Sequence, residues 1–334
     1  MGCFRTTGTV LILVCLADRS FAAELEPNVE GLRRAALEVT ERLPAKMPGT
    51  ERDTFARVVL GKKLFNDEIL SIDNTTSCRY CHEINETGAG ADSLPTSTGA
   101  TGENGHRNSP SVYNAGFQFA QFWDGRAKDL EQQSIMPILD AVEMAMPNAA
   151  EVEKRLRGHK EYSVLFRRAF PKEKSVVSIA NVGRVLAAYQ RTLITHDRFD
   201  DFLGGRTDAL TKVELIGLEL FLNVGCAICH KGPLLGGVTF EKLGVHRPYR
   251  NTEDKGRFKV TQKAEDEYRF KVPMLRNIVL TYPYFHDGEV EKLEEAVQLM
   301  GVLQLDRRLS AGETKSIIAF LHTLSGKELK KYHK

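Results

Sequence analysis

Two short stretches of this 334-residue chain carry residue types and spacing suited to one chemistry: Cys78-Arg79-Tyr80-Cys81-His82 and Cys226-Ala227-Ile228-Cys229-His230. Thiols three residues apart lie on one side of a helical turn. Both can therefore reach the two vinyl groups of one porphyrin, the spacing of covalent c-type haem attachment. The histidine that follows falls beneath the iron and supplies a proximal imidazole. Other uses of the pattern fit less well. A zinc ribbon sets its cysteine pairs about 15–20 residues apart, and these pairs stand in separate regions. A thioredoxin-like pair needs a strand before it, and neither stretch follows an alternating pattern. A disulfide within C-x-x-C leaves the trailing histidines unexplained. Cys3 and Cys15 fall in a segment expected to be cleaved, so every mature cysteine belongs to a haem motif and two haem c groups are expected.

The elements that must hold these motifs read as helices. Residues 29–43 place Leu32, Ala35, Ala36, Val39 and Leu43 at helical spacing, closed by Pro44 and Pro48. Thr50-Glu51-Arg52-Asp53 resembles a capping box opening the next helix, with Gly61 inside it. Residues 149–170 and 175–193 read as amphipathic helices broken at Pro171. Thr211-Lys212-Val213-Glu214 opens a helix that ends at Gly225, just before the second motif. Residues 289–300 set Leu293, Val297 and Met300 on one face, and Ser310-Ala311-Gly312-Glu313 caps a last helix through Leu324. The stretch 85–110, rich in Gly, Ser, Thr and Asn, is a long loop directly after the first motif, where loops of that length are commonly functional. Residues 195–208, with Gly204-Gly205, form the expected domain joint. The expected fold is all-α: two cytochrome c-like domains, each with one covalent haem, over 23–198 and 199–325, the tail 326–334 packing back on the first. No repeat is visible beyond the two motifs, which suggest duplication of a one-haem unit.

Composition sets the compartment and excludes some partners. Arg5, the apolar run Val10–Ala17 and Ser20-Phe21-Ala22 form a secretory signal over residues 1–22. The run is too short for a membrane span. Export to the periplasm agrees with haem c attachment. Hydrophobic residues make up 42% of the chain and charged residues 27%, with a net charge of +2 and no basic block, so nucleic-acid binding has no support.

Further strings resemble the bacterial dihaem cytochrome c peroxidases. They are Arg107-Asn108-Ser109-Pro110, Gln121-Phe122-Trp123-Asp124-Gly125-Arg126, Val142-Glu143-Met144 before Pro147, Arg191-Thr192-Leu193, Phe270-Lys271-Val272-Pro273, Leu275-Arg276-Asn277 and Tyr284-Phe285-His286-Asp287-Gly288. The resemblance runs from about Leu60 to Leu324. It implies a periplasmic enzyme that reduces hydrogen peroxide with electrons from a small cytochrome c or cupredoxin, and a homodimer. The haem on His82 would react, with Glu143 as distal acid–base residue and Gln133 as its neighbouring amide. A carboxylate beside peroxide can move a proton between its oxygens; on pattern alone Glu143 reads equally as a solvated charge. The haem on His230 would store electrons, with Met300 opposite the histidine raising its potential. By pattern alone Met300 is a core side chain.

The resemblance also places Trp123 between the haems, although a core anchor beside Phe117, Phe119 and Phe122 is the plainer reading. Asn108, with the carbonyls of Thr281 and Pro283, matches a calcium site, whose oxygen ligands suit that ion. Arg126 and Arg276 are candidates for propionate contacts, and His286 for a structural or gating role near both haems. One departure concerns the resting state. Many relatives close the reacting haem with a histidine from the glycine-rich loop, and that position is Ala100 here. His106 is the nearby candidate for a distal ligand; otherwise the iron is open, the outcome favoured because Asn108 and Pro110 anchor the adjoining stretch. Two rival functions share the frame. A MauG-like dihaem oxidase modifying a partner protein carries tyrosine where this chain has Met300, and a non-enzymatic dihaem electron carrier has both irons closed.

Overall fold

A computed structural model describes residues 28–84 and 88–329. The expected signal peptide and residues 330–334 of the tail lie outside these. Helices of ten residues or more are labelled in chain order: α1 Val29–Val39, α2 Phe55–Asn66, α3 Leu130–Leu139, α4 Ala149–Gly158, α5 Lys160–Ala169, α6 Ile179–Gln190, α7 Lys212–Val224, α8 Leu293–Leu305 and α9 Ala311–His322. The all-α expectation needs one amendment. Strands β1 Phe240–Lys242 and β2 Arg269–Lys271 pair antiparallel, with Phe240 opposite Lys271.

The chain buries two main cores. The first gathers Leu60 and Leu64 of α2, Leu156 of α4, Phe166 of α5, and Val182, Val185 and Leu186 of α6. The second gathers Leu215, Leu218 and Phe221 of α7 with Ile317, Phe320 and Leu321 of α9. One glycine sets the closest helix contact in each. A Cβ at Gly61 would stand 1.8 Å from the Val185 carbonyl oxygen, and one at Gly217 would stand 1.9 Å from that of Ser316. Neither helix pair can close over a larger residue.

The chain ends cross over. Helix α1 precedes the first haem motif and was expected with it, but Ala36 is fully buried in the second core, where Val29, Leu32 and Val39 also pack. Leu329, near the other terminus, is buried in the first core. Thr195 at the expected joint is itself fully buried, so the joint begins inside the protein rather than as an exposed linker.

Several helix limits differ from the sequence reading, each for a visible reason. Helix α1 stops at Val39 because Thr40 turns extended and donates its hydroxyl to the Gly232 carbonyl at 2.8 Å. Thr50–Arg52 forms only a 3₁₀ turn; α2 starts after Thr54, whose hydroxyl accepts from the Arg57 amide. His159, in extended conformation, divides 149–170 into α4 and α5. Helix α8 begins at Leu293 because Tyr284 and Val290 pair as a bridge, and it continues to Leu305.

The structure also exposes a repeat that composition hid. With a constant offset of 163 residues, Pro110 corresponds to Pro273, Asn114 to Asn277, Phe122 to Phe285, Asp124 to Asp287, Gly125 to Gly288 and Leu130 to Leu293. Asn114 and Asn277 both adopt left-handed backbone, at φ 61° and 65°, and each opens a 3₁₀ turn. Both donate side-chain N–H to the same Thr195 hydroxyl, at 2.8 and 3.1 Å. The Gln121–Ala127 bridge repeats as Tyr284–Val290. The two units then bond reciprocally: the Asn108 amide donates to the His286 carbonyl at 2.8 Å, and the corresponding Lys271 amide donates to that of Trp123 at 2.7 Å. The halves therefore meet about a local pseudo-twofold axis.

Candidate haem centres

Each C-x-x-C-H stretch forms a single helical turn, Cys78–Cys81 and Cys226–Cys229, with the histidine as C-cap. That turn brings both thiols of a pair to one side, as the spacing requires. The histidine rings are oriented alike. His82 Nδ1 lies 3.1 Å from the Gly90 carbonyl oxygen, and His230 Nδ1 lies 3.1 Å from that of Leu235. A carbonyl partner fixes Nδ1 as donor and leaves Nε2 free to ligate a metal. Burial lowers both imidazole pKa values, favouring the neutral ligand form. Burial likewise pushes the Cys78 thiol up to about 12, and those of Cys81 and Cys226 to about 11. These are protonated thiols with no disulfide partner.

The first motif opens into a cavity of about 360 Å³. Its walls bring together Cys78, Cys81 and His82 with Gln133, Glu143 and Trp123, which are far apart in the chain. Gln133 and Pro137 lie one turn apart on α3 and share a cavity-facing side. Glu143 follows α3 in a turn whose backbone holds the glycine-rich loop: the Ala100 amide donates to the Glu143 carbonyl at 2.7 Å. Gly99 permits that approach, since a Cβ there would meet the Val142 oxygen at 2.0 Å. Burial raises the Glu143 carboxyl to about 7; Asp140 adds to the rise and Arg126 opposes it. A group so placed can both accept and return a proton near neutral pH.

Trp123 donates Nε1–H to the Asn108 carbonyl at 2.9 Å and meets His286 edge to face, with ring centroids 6.4 Å apart. These rings are the corresponding residues of the two repeat units. His286 is nearly inaccessible, stacks on Phe270 at 4.3 Å, and has no hydrogen-bond partner on either ring nitrogen among the described residues. His106 is exposed at the cavity rim.

Other assignments are not gathered in the same way. Met300 is half-buried on α8 and does not line this cavity, nor do Thr281 and Pro283. Asn108 does; its amide donates to the Leu94 carbonyl at 2.9 Å, leaving Oδ1 without a hydrogen bond among the described residues. Arg126 lines the cavity, ion-paired to Asp124 at 3.1 Å and lying over the Phe122 ring. Arg276 does not: it is fully buried and committed to Asp197, Asp200 and the Pro233 carbonyl. That removes it as a candidate propionate contact at the first site. Sequence reasoning gave no role to Lys271, Gln190, Ser134 or Pro137, all of which line the cavity. Gln190 donates to Ser134 Oγ at 2.8 Å, a bond between helices that no local pattern announces.

The group that these walls suit is a haem: a fixed imidazole, two free thiols on one turn, and a cavity between them and an acid–amide pair. Comparison with known proteins agrees. Residues 55–208 match the model of the di-haem cytochrome c peroxidase family. The chain is 46% identical over 275 residues to the cytochrome c551 peroxidase of Pseudomonas aeruginosa, covering 80% of this chain and 78% of that protein. This chain belongs to the dihaem cytochrome c peroxidase family. The methylamine utilization protein MauG of Methylorubrum extorquens is similar at 33% identity over 290 residues, covering 86% of this chain and 78% of that one. Among solved structures, a MauG-like protein associated with microbial copper homeostasis superposes with a TM-score of 0.76 at 28% identity, over 86% of this chain and 94% of that chain. Membership implies two haems, and the duplicated turn-and-helix unit supplies two equivalent settings for them.

Proposed function

We propose that this chain is a periplasmic peroxidase that converts hydrogen peroxide, two protons and two electrons into two water molecules. The first haem would be held by Cys78, Cys81 and His82, the second by Cys226, Cys229, His230 and Met300. When bound, the first supplies an iron that takes peroxide, and the second an electron store. A small cytochrome c or cupredoxin is the donor that the family resemblance suggests. Calcium held by Asn108 Oδ1 and the carbonyls of Thr281 and Pro283 is part of the same reading, as is a homodimer.

One observation carries the assignment of roles. At the place in the repeat where α8 carries Met300, α3 carries Pro137. Proline has no donor atom on its side chain, so α3 cannot close the first iron as Met300 would close the second. Ala100 cannot close it either, and its amide is bonded to Glu143. The first site is therefore open in the resting protein, with His106 at its rim.

Within that cavity Glu143 is placed to hold the proton taken from one peroxide oxygen and return it to the other. Gln133 offers an amide beside the same space, and the surrounding apolar side chains limit water. Replacing Glu143 with Gln keeps shape and polarity but removes proton transfer. Peroxide turnover should fall by roughly 10²–10⁴-fold while both haem spectra stay close to wild type. Activity within threefold of wild type would remove Glu143 from the mechanism.

A further inference from the structure

Lys271 is a long cationic side chain in an interior position: 5% exposed, within β2 of the second half, yet on the wall of the first cavity. Its Nζ donates to one acceptor, the Ala120 carbonyl at 2.9 Å, although an ammonium carries three donors. The carboxylate that acts on it is Asp124, already taken by other partners. Arg107 Nη1 holds one of its oxygens at 2.7 Å, and Arg126 Nη1 lies 3.1 Å from both. Asp254 is likewise shared, bidentate with Arg107 and 3.2 Å from Lys259. Arg107, Arg126, Lys259 and Lys271 thus face two carboxylates, Asp124 and Asp254. Of the other cavity acids, Glu143 is acted on by Asp140 and Arg126, and the only acid acting on Lys271 is Asp124.

Buried charges persist where something pairs them. Burial pushes the Lys271 ammonium down to about 7, with Asp124 opposing, so the protein part of the site undercompensates it. The shared fold does not call for this charge either. The corresponding residue of the first half is Asn108, a neutral amide that bonds to Leu94.

We propose that Lys271 of the second half is the counter-charge to a propionate carboxylate of the first haem, and thereby sets that haem's potential from across the domain boundary. The proposal rests on the haem assignment given above. Its main-chain amide, bonded to the Trp123 carbonyl, fixes where the side chain enters the cavity. A cation held there favours the electron-rich ferrous state, so its loss should lower the potential of the first haem and leave the second nearly unmoved.

Midpoint potentials of both haems in the intact two-haem protein test this, using Lys271→Met and Lys271→Arg. Lys271→Met should shift the first reduction equilibrium about tenfold towards ferric, which for a one-electron couple is about 59 mV. Lys271→Arg, which keeps the charge, should restore most of the shift. A purely structural role would predict equal effects on both haems and no rescue by charge. An unchanged first potential in Lys271→Met with two haems per chain overturns the proposal and leaves the haem assignment standing. A wild-type pyridine haemochrome count below two overturns the haem assignment itself, and this proposal with it. If Lys271→Met does not mature, resonance Raman of Lys271→Arg reads the contact: the propionate bending band should shift from wild type, and an unshifted band overturns the proposal.

Discussion

The two halves carry the same turn-and-helix unit and, on the proposed reading, differ most where a side chain would meet iron. At corresponding positions α3 carries Pro137 and α8 Met300. Around them the copies diverge in the same sense. The first is hollow, with Glu143 and Gln133 facing a cavity. At the place of Tyr113, the second has Arg276, buried among Asp197, Asp200 and the Pro233 carbonyl. On the proposed reading, one fold yields a reacting site and a storing site through a few substitutions. On that reading the halves differ in the side chain each offers the iron: none from Pro137 on α3, a thioether from Met300 on α8.

The sharpest way to break this contrast is to make the halves alike. Replacing Pro137 with Met should give the first site the second site's ligand; turnover with peroxide and donor should fall below a tenth of wild type, and both haems should become low-spin. Turnover near wild type with a high-spin first haem would show that the repeat does not set coordination. Replacing Met300 with His works on the other half. Imidazole stabilises ferric iron relative to thioether, so the second potential should fall by more than the roughly 59 mV of a tenfold change. An unchanged potential would make Met300 a packing residue.

Smaller effects sharpen the comparison. With its carboxyl raised to about 7, Glu143 is a carboxylate mainly above that pH. Its ability to take a proton from peroxide should therefore grow as pH rises through about 7 and be lost on acidification. The peroxide rate constant should follow that limb in the wild type and lose it in Glu143→Gln. The smallest effect is expected at His106. His106→Ala should leave the high-spin electron paramagnetic resonance signal of the first haem as it was; conversion of a low-spin centre to high spin would make His106 the lock.

Much of this was readable before folding because the signals were local. The C-x-x-C-H turns occupy one helical turn each. The capping boxes at Thr211 and Ser310 are observed with both reciprocal bonds, since they depend on residues three apart. Glu143, Gln133 and Trp123 were reached through resemblance and do line one cavity. What escaped was long-range. The repeat survives in a few turn-forming residues scattered among unrelated ones, so it is weak as text but plain as backbone. Lys271 lay within a family string, but nothing local to it marked a place on the wall of the first cavity. Thr40 ended α1 through a bond to Gly232, 192 residues away. The buried ion pairs of Arg276 with Asp197 and Asp200 escaped too, because those partners are distant in sequence.

The crossing of the chain ends bears on how the protein comes into being. Helix α1 leaves the ribosome early, yet the surface that buries Ala36 is made by residues of the second half. Leu329, the last described residue, packs in the core built around α2 and α6. Each core is therefore closed in part by a segment far away in sequence, and contacts of such high sequence separation form slowly. For a protein read here as exported and given its cofactors by covalent attachment, that delay is useful. On the proposed reading, both thiol pairs should stay open to haem attachment until those long-range contacts form.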